Sequence, residues 1–232
     1  MWKTDPSDEP ILGLATWQHG DSAWSIDARG GDTGIRLIDA DLISNGLASN
    51  AGEYCRLAAV DDANVPRIVE QFVRGDELHL SLPQAEGTFG VQLTLTPITC
   101  DADRLVLETI ISIQTTLLDT HPMLDVIADA EQTSKLNAAA TDEMSGAPSV
   151  SIAQQRDHST AILLGRHDSP FTSDRTGLDR LSLRLFGDFL EKGVIRKARP
   201  WLVLSRSTTS PDASSLEALL AELNASPLPL TP

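Results

Sequence analysis

The chain has 232 residues, 41% of them hydrophobic but only 4% aromatic, and 18 Lys/Arg against 33 Asp/Glu give a formal net charge of −15. A field of that sign repels phosphate, which argues against general nucleic-acid or anionic-membrane binding. No window approaches the roughly 18 consecutive apolar residues of a membrane span, and the Leu, Ile, Val and Ala content supports a core that needs no disulfide, metal or cofactor.

In chain order, the N-terminal run MWKTDPSDEPILGLATW is acidic and lacks the apolar stretch of a signal peptide, which predicts a cytoplasmic protein. Ala23–Ala28, Ile35–Ile43 and Glu53–Val60 read as short strands joined by the turn signals ARGGDTG and SNGLASNAG. RIVEQFV and ELHLSL form a predicted hairpin across Arg74-Gly75-Asp76, with Gly75 able to take a positive φ. In Glu77–Leu82 the apolar set is Leu78, Leu80 and Leu82, and Glu77, His79 and Ser81 face the other way. In Phe89–Thr96, Phe89, Val91, Leu93 and Leu95 oppose Gly90, Gln92, Thr94 and Thr96. After the polar turn at Cys100–Asp103, a long strand is predicted over Arg104–Leu118. Its mixed faces suit cover on both sides.

Asp129–Ser149 has no apolar stripe and reads as a long excursion with one helical turn. Ser149–Ala153 and Thr160–Leu164 follow as a strand pair. LSLRLFGDFL and VIRKARPWLVLS, either side of Glu191-Lys192-Gly193, read as the next pair, with Pro200 marking an edge or bulge. This stretch is basic: Arg175 to Arg206 holds eight Lys/Arg against three acids. Acidic cross-strand neighbours such as Glu70, Glu77 or Glu108 would balance Arg184, Arg196, Lys197 and Arg199. Ser214–Leu223 is the helix candidate, with Ser214 or Ser215 as its cap and a Leu216, Leu219, Leu220, Leu223 stripe. Residues 225–232 read as a loose tail. The prediction is one all-β domain over 1–232, an antiparallel β-sandwich with a single C-terminal helix.

The run LFGDFLEKGVIRKARPWLVLS, with QTTLLDTHPMLDV upstream, resembles uncharacterised bacterial proteins of the planctomycete type. That resemblance supports the strand assignment and brings no known activity. In outline a two-sheet chain of long antiparallel strands is also similar to the galactose mutarotase-like supersandwich, an analogy of fold alone.

Three functional readings follow. A carbohydrate binder would use aromatic platforms, for which Trp17, Trp24, Tyr54 and Trp201 are the candidates, with core burial as the competing expectation for each. A mutarotase-like enzyme would need a His acid and a carboxylate base on opposite sides of a sugar ring. His121 or His79 with Glu191 or Glu108 could supply them, and Asp119 beside His121 could orient it or bond backbone in a turn. His158 and His167, each beside an Asp, flank a strand, and His19 stands in a loop. An interaction protein would dock a partner or a second copy on a basic edge strand holding Arg196, Lys197 and Arg199 beside Trp201. Cys55 and Cys100 have no CxxC spacing and read as free, buried thiols. No metal-ligand spacing, P-loop, GxSxG or dinucleotide fingerprint is present. The sequence therefore favours a non-catalytic binding protein, its ligand carbohydrate-like or a protein, with the sugar-active enzyme as the alternative.

Overall fold

The computed structural model describes residues 1–4, 11–40, 52–60, 64–85, 87–137, 147–207 and 211–227. Strands follow the period-2 pattern. They are β1 (Trp2–Thr4), β2 (Leu14–His19), β3 (Ser22–Asp27), β4 (Ile35–Asp39), β5 (Glu53–Ala59), β6 (Glu70–Arg74), β7 (Glu77–Leu82), β8 (Gly90–Cys100) and β9 (Arg104–Gln114). Then come β10 (Met123–Asp129), β11 (Gln132–Asn137), β12 (Ser149–Gln154), β13 (Ser159–Leu164), β14 (Thr172–Asp174), β15 (Arg180–Phe186), β16 (Ile195–Ala198) and β17 (Trp201–Ser205). Helix α1 spans Ala213–Ala225. Among the described residues no helix is long and apolar enough to cross a membrane.

The strands form two antiparallel sheets. The first runs β1-β2-β3-β4-β5-β10-β15-β14, and the second runs β11-β12-β13-β17-β9-β8-β7-β6, with β16 also on β9. The inward sets of both sheets, including Leu78, Leu80, Leu82, Leu105, Leu107, Leu124, Val126, Leu181 and Leu183, fill one core between them. The all-β sandwich with a C-terminal helix is therefore what the sequence folds into. Between the sheets lies an apolar cavity of about 30 Å³ lined by residues such as Leu37, Leu57, Leu95 and Thr109. It has room for a water molecule, not for a sugar ring.

Helix α1 builds a second core on the outside of the second sheet. Leu216, Leu219, Leu220 and Leu223 pack on Val106, Val150, Leu163, Trp201 and Val203. Burying each leucine is worth about 1.5–3 kcal/mol, which is what holds the helix there. Its N-cap is Asp212, whose carboxylate accepts from the Ser215 N–H at 2.9 Å, and not Ser214 or Ser215. Asp212 is held below the usual carboxylate range by hydrogen bonds from the Ser214 hydroxyl and the Ser215 amide.

Several expectations are corrected. LSLRLF and VIRKARPWLVLS do not pair: β15 joins the first sheet beside β10, and β16 and β17 join the second beside β9. Arg184 consequently meets Asp125, with two bonds of 2.8 and 2.9 Å, and not Glu70, Glu77 or Glu108. Pro200 separates β16 from β17. Segment β17 is central, buried on both faces, because Leu202 and Leu204 face the intersheet core while Trp201 and Val203 face α1. The strand expected to reach Leu118 ends at Gln114, and Leu118 is exposed. The 129–149 excursion contains strand β11, paired with β12; residues 138–146 lie outside the described set, as do 41–51 and 228–232. The helix continues through Ala225, the first residue assigned to the tail. Both cysteines are free, but Cys100 is only partly buried.

Glycines act where the turn demands it. Gly75 has φ 60° at the β6–β7 turn. Gly34 has φ 70°, and a Cβ there would stand 2.2 Å from the Leu57 carbonyl oxygen, so only glycine fits.

Candidate functional site

The uncovered half of the second sheet's outer face carries the site. Helix α1 shields that face over β12, β13 and β17. Over β6, β7, β8 and the Ile110–Gln114 end of β9 the outward positions are mostly polar, with Phe72 and Ile110 as apolar members. Register aligns them in rows across the strands. One row is Glu70, Ser81, Gln92, Ser112 and Lys197. The next is Phe72, His79, Thr94 and Ile110. The third holds the pair Arg74 and Glu77 on one side, then Thr96, Glu108 and Trp201. Trp201 lies beneath the helix, and its indole N–H donates to Glu108 Oε1 at 3.1 Å, so Glu108 marks the border between the covered and open halves.

His79 is the centre of the open half. Its Nε2 lies 2.9 Å from Glu77 Oε2 and its Nδ1 lies 3.2 Å from the Thr94 hydroxyl. A carboxylate only accepts, so Nε2–H donates to Glu77, and Nδ1 then accepts from Thr94. Phe72 stacks on the imidazole at 4.6 Å with an interplanar angle of 14°, and remains 47% exposed. The chain Thr94–His79–Glu77 could pass a proton. It is not an acyl-transfer apparatus, because backbone N–H groups in a sheet lie within its plane, in the ladder, and do not rise to meet an oxyanion above it. Glu77 is bonded directly to His79, so these two cannot flank a sugar ring as an epimerase pair would. What the face offers is recognition: hydroxyls, an amide, both signs of charge and a stacked ring at one end.

The other sequence candidates fall elsewhere. Asp119, His121 and Glu191 do converge, because a bridge between Thr120 and Leu190 brings their two loops side by side. All three are exposed. The His121 ring meets Phe189 at 5.9 Å, and its Nδ1 donates weakly to the Gly187 carbonyl at 3.4 Å. Trp17, Trp24, Tyr54 and Trp201 are all core residues, between 2% and 7% exposed, so none presents a flat face to a ligand. Arg196 turns toward the first sheet, donating to the Phe189 carbonyl at 2.7 Å. Arg199 is buried and donates to the carbonyls of Leu223, Ser226 and Pro227. It thereby supplies positive charge at the negative end of α1 and is not free for a ligand. Its expected pairing with Glu108 exists, at 3.9 Å. His158 and His167 do flank β13, but at its opposite ends, so they form no single cluster. Asn224 lies in α1, its side-chain oxygen accepting from the Arg166 N–H. Among the described residues no group of three His, Cys, Asp or Glu could hold a metal ion.

A second concentration of polar groups joins the two sheets. A β-bulge between Leu37 and Ile38 makes Tyr54 an extra residue in β5, which re-aims its ring. The Tyr54 hydroxyl donates to Asp39 Oδ2 at 3.1 Å, and burial pushes the phenol well above its usual range. Arg206, at the end of β17, grips Asp39 with bonds of 2.7 and 3.0 Å and lies 4.3 Å over the Trp24 ring. His158 packs against Tyr54 at 4.9 Å and bonds Asp157 and the Glu53 carbonyl. This clasp is closed and structural.

Phe72, Ser81, Gln92, Thr94 and Ser112 are the face residues that sequence reasoning did not gather into a site, and Lys197 entered only through the basic edge strand. The alternation in β7 and β8 identified the outward side; which strands lie next to each other did not follow from it.

No family model matches the chain, and no curated protein matches it. Among solved structures it is similar to one described as "Putative kojibiose phosphorylase from human microbiome", at 8% identity and a TM-score of 0.43. The match covers 91% of this chain and 31% of that one, so the chain spans about a third of that protein's length. At this distance the likeness bears on neither ligand nor chemistry.

Proposed function

We propose that the protein is a non-catalytic binding protein and that the open half of its second sheet takes a carbohydrate-like ligand. The observation that supports this is the row arrangement: Ser81, Gln92 and Ser112 side by side, the next row ending in the stacked Phe72–His79 pair. Sugars present alternating hydroxyls and apolar ring faces. A flat polar surface with an aromatic end wall matches both, and side chains held on strands keep their spacing. His79, Glu77 and Thr94 act here as positioned donors and acceptors.

The test is an NMR titration of labelled protein with a panel of mono- and oligosaccharides, in wild type and in the double variant Gln92→Ala/Ser112→Ala. Gln92 is exposed, so its truncation should cost less than about 0.5 kcal/mol; Ser112 is only 8% exposed, so circular dichroism checks that the double variant folds. Shifts clustered on β6–β9, weakened roughly tenfold in the variant, are expected. Saturable shifts that fall on the Asp119/His121 rim, or none from any sugar, would reject this face as a sugar site.

A further inference from the structure

Strand β6 is an outer strand of the second sheet, and its sequence is Glu70-Gln71-Phe72-Val73-Arg74. Three apolar side chains on or beside it, Val69, Phe72 and Val73, are exposed. Among the described residues neither Glu70 nor Arg74 has an ion-pair partner. Gln71 is fixed inward: it accepts from the Gly13 N–H and donates to the Leu14 carbonyl.

The backbone of β6 can be oriented from its turn. A two-residue hairpin, here Gly75-Asp76, closes on a hydrogen-bonded pair, Arg74 with Glu77. By alternation Phe72 and Glu70 also turn their backbone groups toward β7, and those of Gln71 and Val73 point away from the sheet. A second β6, laid antiparallel about a two-fold axis at Phe72, brings Gln71 opposite the partner's Val73 in both directions. Those two pairs exchange four backbone hydrogen bonds. Phe72 then meets its own copy in a non-bonded pair, where side chains approach most closely. Glu70 falls opposite the partner's Arg74, twice.

We propose that β6 is a self-association edge, through which two copies of this chain join their second sheets antiparallel about Phe72. The strand is self-complementary in charge, in apolar content and in backbone polarity, as an isologous interface requires. The other edges do not share this. Self-pairing of β16 would set Arg196 against Lys197. Strand β11 is tied to the first sheet through Lys135–Asp174 and Thr133–Gly177 contacts, and β1 and β14 are three residues long. Charged ends alone are a common way to blunt an edge against pairing; the exposed Phe72 and Val73 between them work against that role. The association does not rest on the sugar reading, but it borders the same face, because Glu70, Phe72 and Arg74 lie in its rows, and it would place two open faces side by side.

The test is sedimentation of wild type, Glu70→Arg, Arg74→Glu and the double swap over roughly 1 μM to 1 mM, with circular dichroism confirming that each variant folds. Wild type should show a concentration-dependent monomer–dimer equilibrium. Each single variant sets like charges opposite each other at both ends and should weaken it at least roughly tenfold. The double swap should restore it. A mixture of the two single variants should also associate, because one chain then presents arginine at both positions and the other glutamate at both, so opposite charges meet at each end. Monomer at every wild-type concentration overturns the proposal, as does a dimer indifferent to the single swaps or singles that fail to associate when mixed.

Discussion

His158 and His79 are furnished alike and differ in cover. Each imidazole makes two hydrogen bonds and one ring contact, His158 with Asp157, Glu53 and Tyr54, and His79 with Glu77, Thr94 and Phe72. His158 is buried between the sheets, and both its hydrogen-bond partners are acceptors. His79 stands on the open face, where one partner is a hydroxyl that can act either way. The local equipment does not distinguish a buried histidine from one proposed to meet a ligand. What covers it does.

Cover matters most at the clasp, and substitutions there should have the largest effects. Asp39→Ala leaves Arg206 over Trp24 without its carboxylate, in a pair whose side chains are only 8% and 17% exposed. A loss of about 3–5 kcal/mol in urea unfolding is expected, while whatever fraction stays folded keeps its open face. His158→Ala should cost about 1–3 kcal/mol by stranding the Glu53 carbonyl and loosening Tyr54.

Acid sensitivity belongs to the first sheet. Desolvation pushes the Asp27 carboxyl up, but hydrogen bonds from Arg29 and Arg36 outweigh it and hold the group down at about 2, against an ordinary 3.8. A depressed carboxyl contributes stability that is complete above its unfolded value and is lost as protons bind to the folded state. The contribution, roughly 2 kcal/mol, should therefore disappear between about pH 4 and pH 2. Asp27→Asn should flatten stability over that interval.

Asp212→Ala removes the cap of α1. It should lower the urea midpoint by less than the changes above, because water reaches this helix end and replaces part of what the carboxylate supplied. The smallest stability effect should come from His79→Ala, about 0.5 kcal/mol or less, together with loss of the ligand response. A His79 variant as unstable as the His158 variant would show that both rings are structural.

Local patterns made much of this legible. The alternation of Leu78, Leu80 and Leu82 gave both the strand and its inward face, and Gly75 gave the hairpin. The errors came from contacts distant in sequence. Nothing near Gly187–Val194 announces that the chain leaves one sheet for the other there, which is why sequence alone pairs LSLRLFGDFL with VIRKARPWLVLS. The unbroken apolar run Trp201–Leu204 was the available sign of a central strand covered on both sides, and Pro200 drew attention to an edge instead. Arg199 and the tryptophans were legible as chemistry but not as location, because the helix carbonyls and the Asp39–Arg206 pair that accommodate them come from other parts of the chain. Phe72 lay unnoticed in a run of ordinary alternation, since its value depends on His79 being its neighbour.

Strand β17 lies between β13 and β9, and until it arrives the second sheet is two separate ladders, β6 to β9 and β11 to β13. A nascent chain must therefore hold two raw sheet borders apart while everything from Leu164 to Trp201 emerges. Closing that gap is a long-range event, which slows folding and exposes sticky intermediates. Among the described strands it is the latest in sequence that zips the sheet, so partial chains ending before Trp201 should be clients for chaperones and not small, stable versions of the whole.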